Sequence, residues 1–283
     1  MAVSTGGRVG WGAGYASIAA DCWRYKSLFW RSRNRRRFGK KTGGYGLFFW
    51  RDPFWDPRVW LRRMIRIAAM LLILAITVPP ALVLIYRDFA PPGTLLMVYR
   101  LFEGEGIKKE WKPLEKISRH VPAAVIALED AGFCSHDGFE WVAIFEAAAD
   151  QARGETTLRG GSTITQQTSK NVFLWPSRTF VRKGMEVPFT FMIEWAWGKR
   201  RIMEVYLNVI EWGPGIYGVE AASRHYFGKS SGGLTRREAA LLAAILPNPR
   251  RWSAAKPTPY IHRRAGTALS RMNSPELKTR CAR

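Results

Sequence analysis

From Ile67 to Tyr86 the chain runs twenty residues without a charge, with basic sequence on either side. That length is about what an α-helix needs to cross ~30 Å of hydrocarbon. A buried core helix or a signal peptide would show a similar run. A membrane span fits better, because Arg62, Arg63 and Arg66 crowd its N-terminal flank and no small-residue cleavage pattern follows it. Pro79 and Pro80 are expected to bend or shorten the helix.

The span divides the charge unevenly. Through Arg66 there are 15 Lys and Arg against 3 Asp and Glu, and beyond it 29 against 19. Arg31, Arg33, Arg35, Arg36, Arg37, Lys40 and Lys41 reinforce the positive flank, so the N-terminus is expected in the cytoplasm and the C-terminal part outside. The expected organisation is a basic cytoplasmic tail over 1–66, a transmembrane helix over 67–86, an extracytoplasmic linker over 87–114 and a catalytic domain over 115–283. RRRFGK at Arg35 to Lys40 has the look of a twin-arginine signal, but the apolar run begins too far downstream, and the match is taken as chance. Trp11, Trp23, Trp30, Trp50 and Trp55 among the arginines fit a lipid-facing tail better than a nucleic-acid contact, and no nucleic-acid partner is expected. Cys22, Cys134 and Cys281 show no metal-ligand spacing; one disulfide at most, between Cys134 and Cys281, fits the topology, and nothing in the sequence demands it.

Beyond Glu115 the pattern is helical. Val121, Val125 and Leu128 recur at helical spacing, as do Trp141, Ile144, Phe145 and Ala148, and Thr235 with Glu238 forms a capping-box pattern ahead of AALLAAIL. Strand-like alternation is scarce, which points to a mainly α domain.

Three polar signatures interrupt these helices. In EDAGFCSHDGF, Glu129 and Phe133 share a helical face with His136 about two turns on, and Gly132 and Gly138 are expected to close the helix and turn the chain. A glutamate beside Asp130 and an aromatic suits a general base, although a solvated Glu-Asp pair reads the same way on its own. In GGSTITQQTSKN, two glycines precede a plausible Ser162 N-cap, and a helix through Asn171 would stack Thr163, Gln167 and Lys170 on one face. A hydroxyl, an amide and an ammonium in that order can hold sugar hydroxyls and a phosphate. In RKGME, Arg182 and Glu186 are one turn apart, with Lys183 between; they form either an ion pair or a mixed-charge site for a pyrophosphate and a divalent metal. Pro188 is expected to place this pair near a helix end. Phe173, Leu174, Trp175 and Phe180 form an apolar group whose default is core packing and whose alternative is contact with lipid.

Together with KRRIMEVYLNVIEWGPGIYGVEAASRHYFGK from Lys199 and LLAAILPNPRRW from Leu241, these signatures resemble the peptidoglycan glycosyltransferases, which polymerise lipid II. The resemblance runs from about Val121 to Lys256. It implies a lysozyme-like, two-lobed, mainly helical domain behind a single membrane helix. It implies Glu129 as general base in an inverting transfer and Glu186 as a second glutamate near the departing undecaprenyl pyrophosphate. Asp130, Phe133 and His136 match residues that shape the base; Thr163, Gln167, Lys170, Asn171, Arg182 and Lys183 match substrate-binding positions. The implied partners are lipid II, the lipid-linked glycan, the membrane, and proteins of cell-wall synthesis or division. Mg2+ or Mn2+ is a candidate cofactor with no fixed protein site. SAAK at Ser253 and KTG at Lys41 stand in the wrong order and place for a penicillin-binding site, so the monofunctional type is expected, without transpeptidase activity. A lytic transglycosylase and a non-catalytic cell-wall scaffold are the alternatives.

Overall fold

A computed structural model describes residues 56–153, 161–177 and 179–282. Most of the expected basic tail, with its tryptophans and Cys22, lies outside the described residues, as do Gly160 and Arg178 and the side chains of Ile144 and Ala148.

The apolar run sits inside a longer helix, α1 (Pro57–Asp88), of 32 residues. At 1.5 Å per residue it is about 48 Å long, more than the hydrocarbon alone requires. Its most apolar window is only 6% buried within the protein, as expected of a surface that faces lipid. Pro57 opens the helix, and the Arg58 amide donates to Asp56 Oδ1 at 2.9 Å. The helix continues eight residues past Pro80, so Pro79 and Pro80 do not shorten it. The last turns of α1 are anchored by polar contacts: Trp197 Nε1 donates to Val83 O at 2.7 Å, and the Arg201 guanidinium donates to Tyr86 O at 2.9 Å and Phe89 O at 2.7 Å. A cation on these carbonyls answers both the unmet acceptors and the negative end of the helix dipole.

The segment expected to be a linker is folded. Thr94 caps α2 (Leu95–Phe102), which buries Met97. Strand β1 (Lys108–Lys109) joins a three-stranded sheet with β2 (Glu211–Gly213) and β3 (Ile216–Tyr217) in the order β1-β3-β2. β1 runs parallel to β3, pairing Lys108 with Ile216, and β2 runs antiparallel to β3, pairing Glu211 with Tyr217. Gly215 makes the β2–β3 turn at φ 68°, where an added Cβ would lie 2.2 Å from Gly106 O. Asn208 then ties the segment down, accepting from Lys112 N at 2.8 Å and donating to Lys112 O at 2.9 Å.

The rest is helical, as the sequence pattern suggested: α3 (His120–Glu129), α4 (Trp141–Ala152), α5 (Ile164–Phe173), α6 (Phe180–Ala196), α7 (Lys199–Val209), α8 (Val219–Phe227), α9 (Arg236–Ile245) and α10 (Pro259–Arg271). α3 and α9 are apolar nearly all round and pack with α10; α5 packs on α6 and α7. The Thr235–Glu238 capping box forms as the sequence indicated. α6 runs through Pro188 to Ala196, so the Arg182–Glu186 pair sits in its first half rather than near its end. Pro188 and Gly184, whose carbonyl loses its i+4 donor, are both exposed, and water can meet that acceptor.

The apolar group after α5 divides. Leu174 is buried and Phe173 stacks on Phe189 with centroids 4.8 Å apart, whereas Trp175 is 41% and Phe180 96% exposed. Cys134 and Cys281 are joined in a disulfide with Cα atoms 5.7 Å apart across 147 residues of sequence.

Candidate functional site

Glu129 is the last residue of α3, and the chain leaves the helix at Asp130 with φ −162°. The loop that follows is built around the Asp130 carboxylate, which is 1% exposed. Its Oδ2 accepts from the Ile164 amide at 2.9 Å, one of the orphan donors at the start of α5. Its Oδ1 lies 2.9 Å from His136 Nε2, and His136 Nδ1 accepts from the Gly138 amide at 3.1 Å. Because Nδ1 is an acceptor, the neutral ring carries its proton on Nε2 and donates it to Asp130. Gly138, at φ 89°, is confined by Thr190, whose Cγ2 would lie 2.8 Å from an added Cβ.

Thr163, not Ser162, caps α5. Its hydroxyl accepts from the Gln166 amide, the Gln166 side chain returns to the Thr163 amide, and Thr163 Oγ1 donates to Gly138 O at 2.7 Å. Phe133 is fully buried beneath Lys199, whose ammonium is 4.8 Å from the ring centroid and donates to His136 O at 2.6 Å. Asp130, Phe133, His136 and Thr163 therefore form the frame that joins the end of α3 to the start of α5. Within that frame the Asp130 carboxylate serves His136 and the Ile164 amide, and the Thr163 hydroxyl serves Gly138 O and the Gln166 amide.

The Glu129 side chain is 12% exposed and has one partner on each oxygen. Oε2 accepts from Gln167 Nε2 at 3.2 Å, and Oε1 accepts from Arg264 Nη2 at 2.8 Å. Gln167 is oriented by Tyr206, whose hydroxyl donates to Gln167 Oε1 at 3.2 Å. Burial, with the negative charges of Glu129 and Asp130 behind it, pushes the Tyr206 phenol well above its usual value, so it remains a donor. The sequence reading missed Tyr206, which lies in the Lys199–Lys229 stretch that carried the resemblance, and Arg264, which has no local signal beyond an Arg-Arg doublet on an amphipathic helix.

Beside this cluster lies a cavity of about 620 Å³ lined by Gln167, Lys170, Asn171 and Arg182 on one side and by Arg100 and Arg250 on another. The Lys170 ammonium has no hydrogen-bond partner among the described residues. Burial lowers its pKa, the Glu186 carboxylate opposes that shift, and Arg182 and Lys183 add to it. Asn171 points its amide back to Gln167 O at 2.8 Å, leaving its carbonyl oxygen uncommitted within the described contacts. Glu186 is buried between Arg182 Nη1, which it contacts directly, and Lys183 Nζ at 2.7 Å; Lys183 also reaches Ser162 Oγ at 3.2 Å. The result is a wall of three cations braced by one carboxylate. Among the described residues no three His, Cys, Asp or Glu side chains gather as a metal site, and both Glu186 oxygens are held by cations, so these residues do not fit a bound divalent metal.

A helical domain on a membrane-length helix, with a carboxylate poised beside a cationic cleft, has the parts of an enzyme that handles anionic glycosyl donors. A sequence profile described as Transglycosylase matches residues 97–273, and the chain belongs to this family of glycosyltransferases with the lysozyme-like fold. Similar proteins, each named a biosynthetic peptidoglycan transglycosylase, narrow the comparison. The one from Rhodospirillum centenum is 54% identical over 217 residues, covering 76% of this chain and 91% of that protein. The one from Caulobacter vibrioides is 50% identical over 205 residues, covering 72% and 89%. The one from Pseudomonas fluorescens Pf-5 is 49% identical over 198 residues, covering 68% and 82%.

Proposed function

We propose that this protein polymerises lipid II into β-1,4-linked glycan at the outer face of the cytoplasmic membrane, with Glu129 as general base. The observation that carries the reading is the placement of one carboxylate oxygen, Glu129 Oε2, against only the neutral Gln167 amide, which itself lines a cleft that also holds Lys170 and Arg182. Oε2 takes the proton of the acceptor's N-acetylglucosamine 4-hydroxyl as that oxygen bonds to C1 of the donor's N-acetylmuramic acid. The C1–oxygen bond to undecaprenyl pyrophosphate breaks on the opposite face, its electron pair leaves with the pyrophosphate, and the configuration at C1 inverts. Lys170 and Arg182 meet the charge that grows on the leaving group. Glu186 orders Arg182 and Lys183 rather than touching substrate, and no step is assigned to a metal.

The orientation rests on Arg62, Arg63 and Arg66 ahead of the apolar run, and on the Cys134–Cys281 disulfide, which belongs in an oxidising compartment. A lytic transglycosylase would use the same carboxylate, but cleavage of glycan leaves no pyrophosphate for the three cations to hold. The test is polymer formation by the purified full chain from lipid II in detergent. Glu129→Gln should lower the rate by ~10²- to 10⁴-fold while binding of a donor-site ligand stays nearly intact. Near-normal polymer from a folded Glu129→Gln protein would remove the base assignment.

A further inference from the structure

The Glu129 carboxylate is gripped from a helix that begins 130 residues later in the chain. Along α10, Arg264 and Arg271 stand two turns apart and both reach the C-terminal end of α3. Arg271 Nη1 donates to Ala127 O at 2.9 Å, a carbonyl in the last turn of that helix. Arg264 Nη2 donates to Glu129 Oε1 at 2.8 Å, and the Arg264 Nε is buried without a partner. A guanidinium is a rigid planar fork, so a fixed Arg264 also fixes the plane of the carboxylate it holds.

We propose that Arg264 is a positioning residue for Glu129: it engages Oε1, fixes the plane of the carboxylate, and leaves Oε2 as the oxygen that receives the acceptor's proton. This rests on the reading of Glu129 as base. The two oxygens differ in chemistry. Oε1 carries a charge-assisted bond to Arg264, whereas Oε2 has only the Gln167 amide at 3.2 Å, which an incoming hydroxyl can displace. Other charged and titratable groups also face Glu129. Lys170 comes from α5 and Tyr206 from α7, while Asp130 follows Glu129 directly; the buried residues of α9, which packs on α3, are the uncharged run Ala239 to Ile245. Of the cations among these, Arg264 makes the direct contact.

The test uses the full chain in detergent with lipid II, measuring rate against pH. Arg264→Gln should lower kcat by ~10- to 100-fold through misplacement of the base. KM should move by less than about threefold. The acid limb of the kcat/KM profile should move up, because a lost neighbouring cation no longer favours the charged form. Arg264→Lys keeps the charge without the fork, so kcat should fall while the acid limb stays nearly in place. Added to Glu129→Gln, either change should cost no further rate.

An acid limb that stays put in Arg264→Gln overturns the proposal, as does an equal loss from Arg264→Gln with and without Glu129→Gln. If Arg264→Gln fails to fold, Arg264→Lys decides in the same way: a loss that is undiminished in the Glu129→Gln background overturns the role. Full polymerisation by Glu129→Gln alone would instead sink the base reading on which this one rests. Arg271→Gln serves as comparison, since it loses a bond to a neutral carbonyl and should leave the acid limb where it is.

Discussion

Asp130 is the most enclosed polar group beside Glu129, and it gives a prediction with a calculable size. Its two oxygens serve the Ile164 amide and His136 Nε2, each at 2.9 Å, in a setting closed to water. Asp130→Ala strands both donors, and a buried donor without a partner costs about 1–3 kcal/mol. The sum is about 4 kcal/mol. Asp130→Asn keeps one acceptor oxygen but turns an NH2 group toward the other donor, for a loss of about 2 kcal/mol. A domain of this size loses roughly 2–4 °C of melting temperature per kcal/mol. Asp130→Asn should therefore melt about 4–8 °C below the unaltered chain, and Asp130→Ala about twice as far, in thermal scans at one heating rate. Well below those transitions, polymer synthesis from lipid II by Asp130→Asn should fall less than about tenfold, compared with ~10²- to 10⁴-fold for loss of a base. A variant with an unaltered melting point and a base-like loss of rate would refute the reasoning and return Asp130 to the chemistry.

Two further predictions follow from particular side chains. Lys170 has its pKa lowered below the ordinary 10.5 by burial, so burial costs stability while the ammonium is charged, and that cost fades as pH rises through the lowered value toward 10.5. Donor-ligand affinity should accordingly begin to fall on the alkaline side before 10.5, and Lys170→Arg should remove that decline; titration calorimetry across the alkaline range, with an unchanged decline in Lys170→Arg, would count against it. Leu174→Ala should cost about 3 kcal/mol, whereas Phe180→Ser should stay within about 0.5 kcal/mol, read from denaturant midpoints at constant slope. Equal effects would mean that the apolar group does not divide as the fold shows.

The features readable in the sequence were those set by local pattern. The uncharged run, the α3 and α9 helices and the Thr235–Glu238 box depend on neighbours within a few residues, and all appear in the structure. Local reading failed where distant contacts decide. Ser162 and Thr163 are equally good caps by composition, and Thr163 prevails because its hydroxyl also reaches Gly138 O, 25 positions away. Pro188 looked like a helix end, yet the lost bond falls on an exposed face where it costs little. Residues 87–114 looked like a linker because the partners of α2 and β1 within it, α5, Ile216 and Tyr217, lie far along the chain. For Glu129 the sequence singled out the carboxylate but not the side chain that holds it, since a contact spanning 135 positions leaves no periodic trace.

The same long span has a consequence in time. The loop around Cys134 is stapled to Cys281, and Glu129 meets Arg264, so neither bond can form until the ribosome has passed those late positions. Contacts of such separation are slow to close. In the orientation proposed above, the chain would thus emerge with the Glu129 carboxylate still ungripped, and this geometry would be complete only after the last helix has followed.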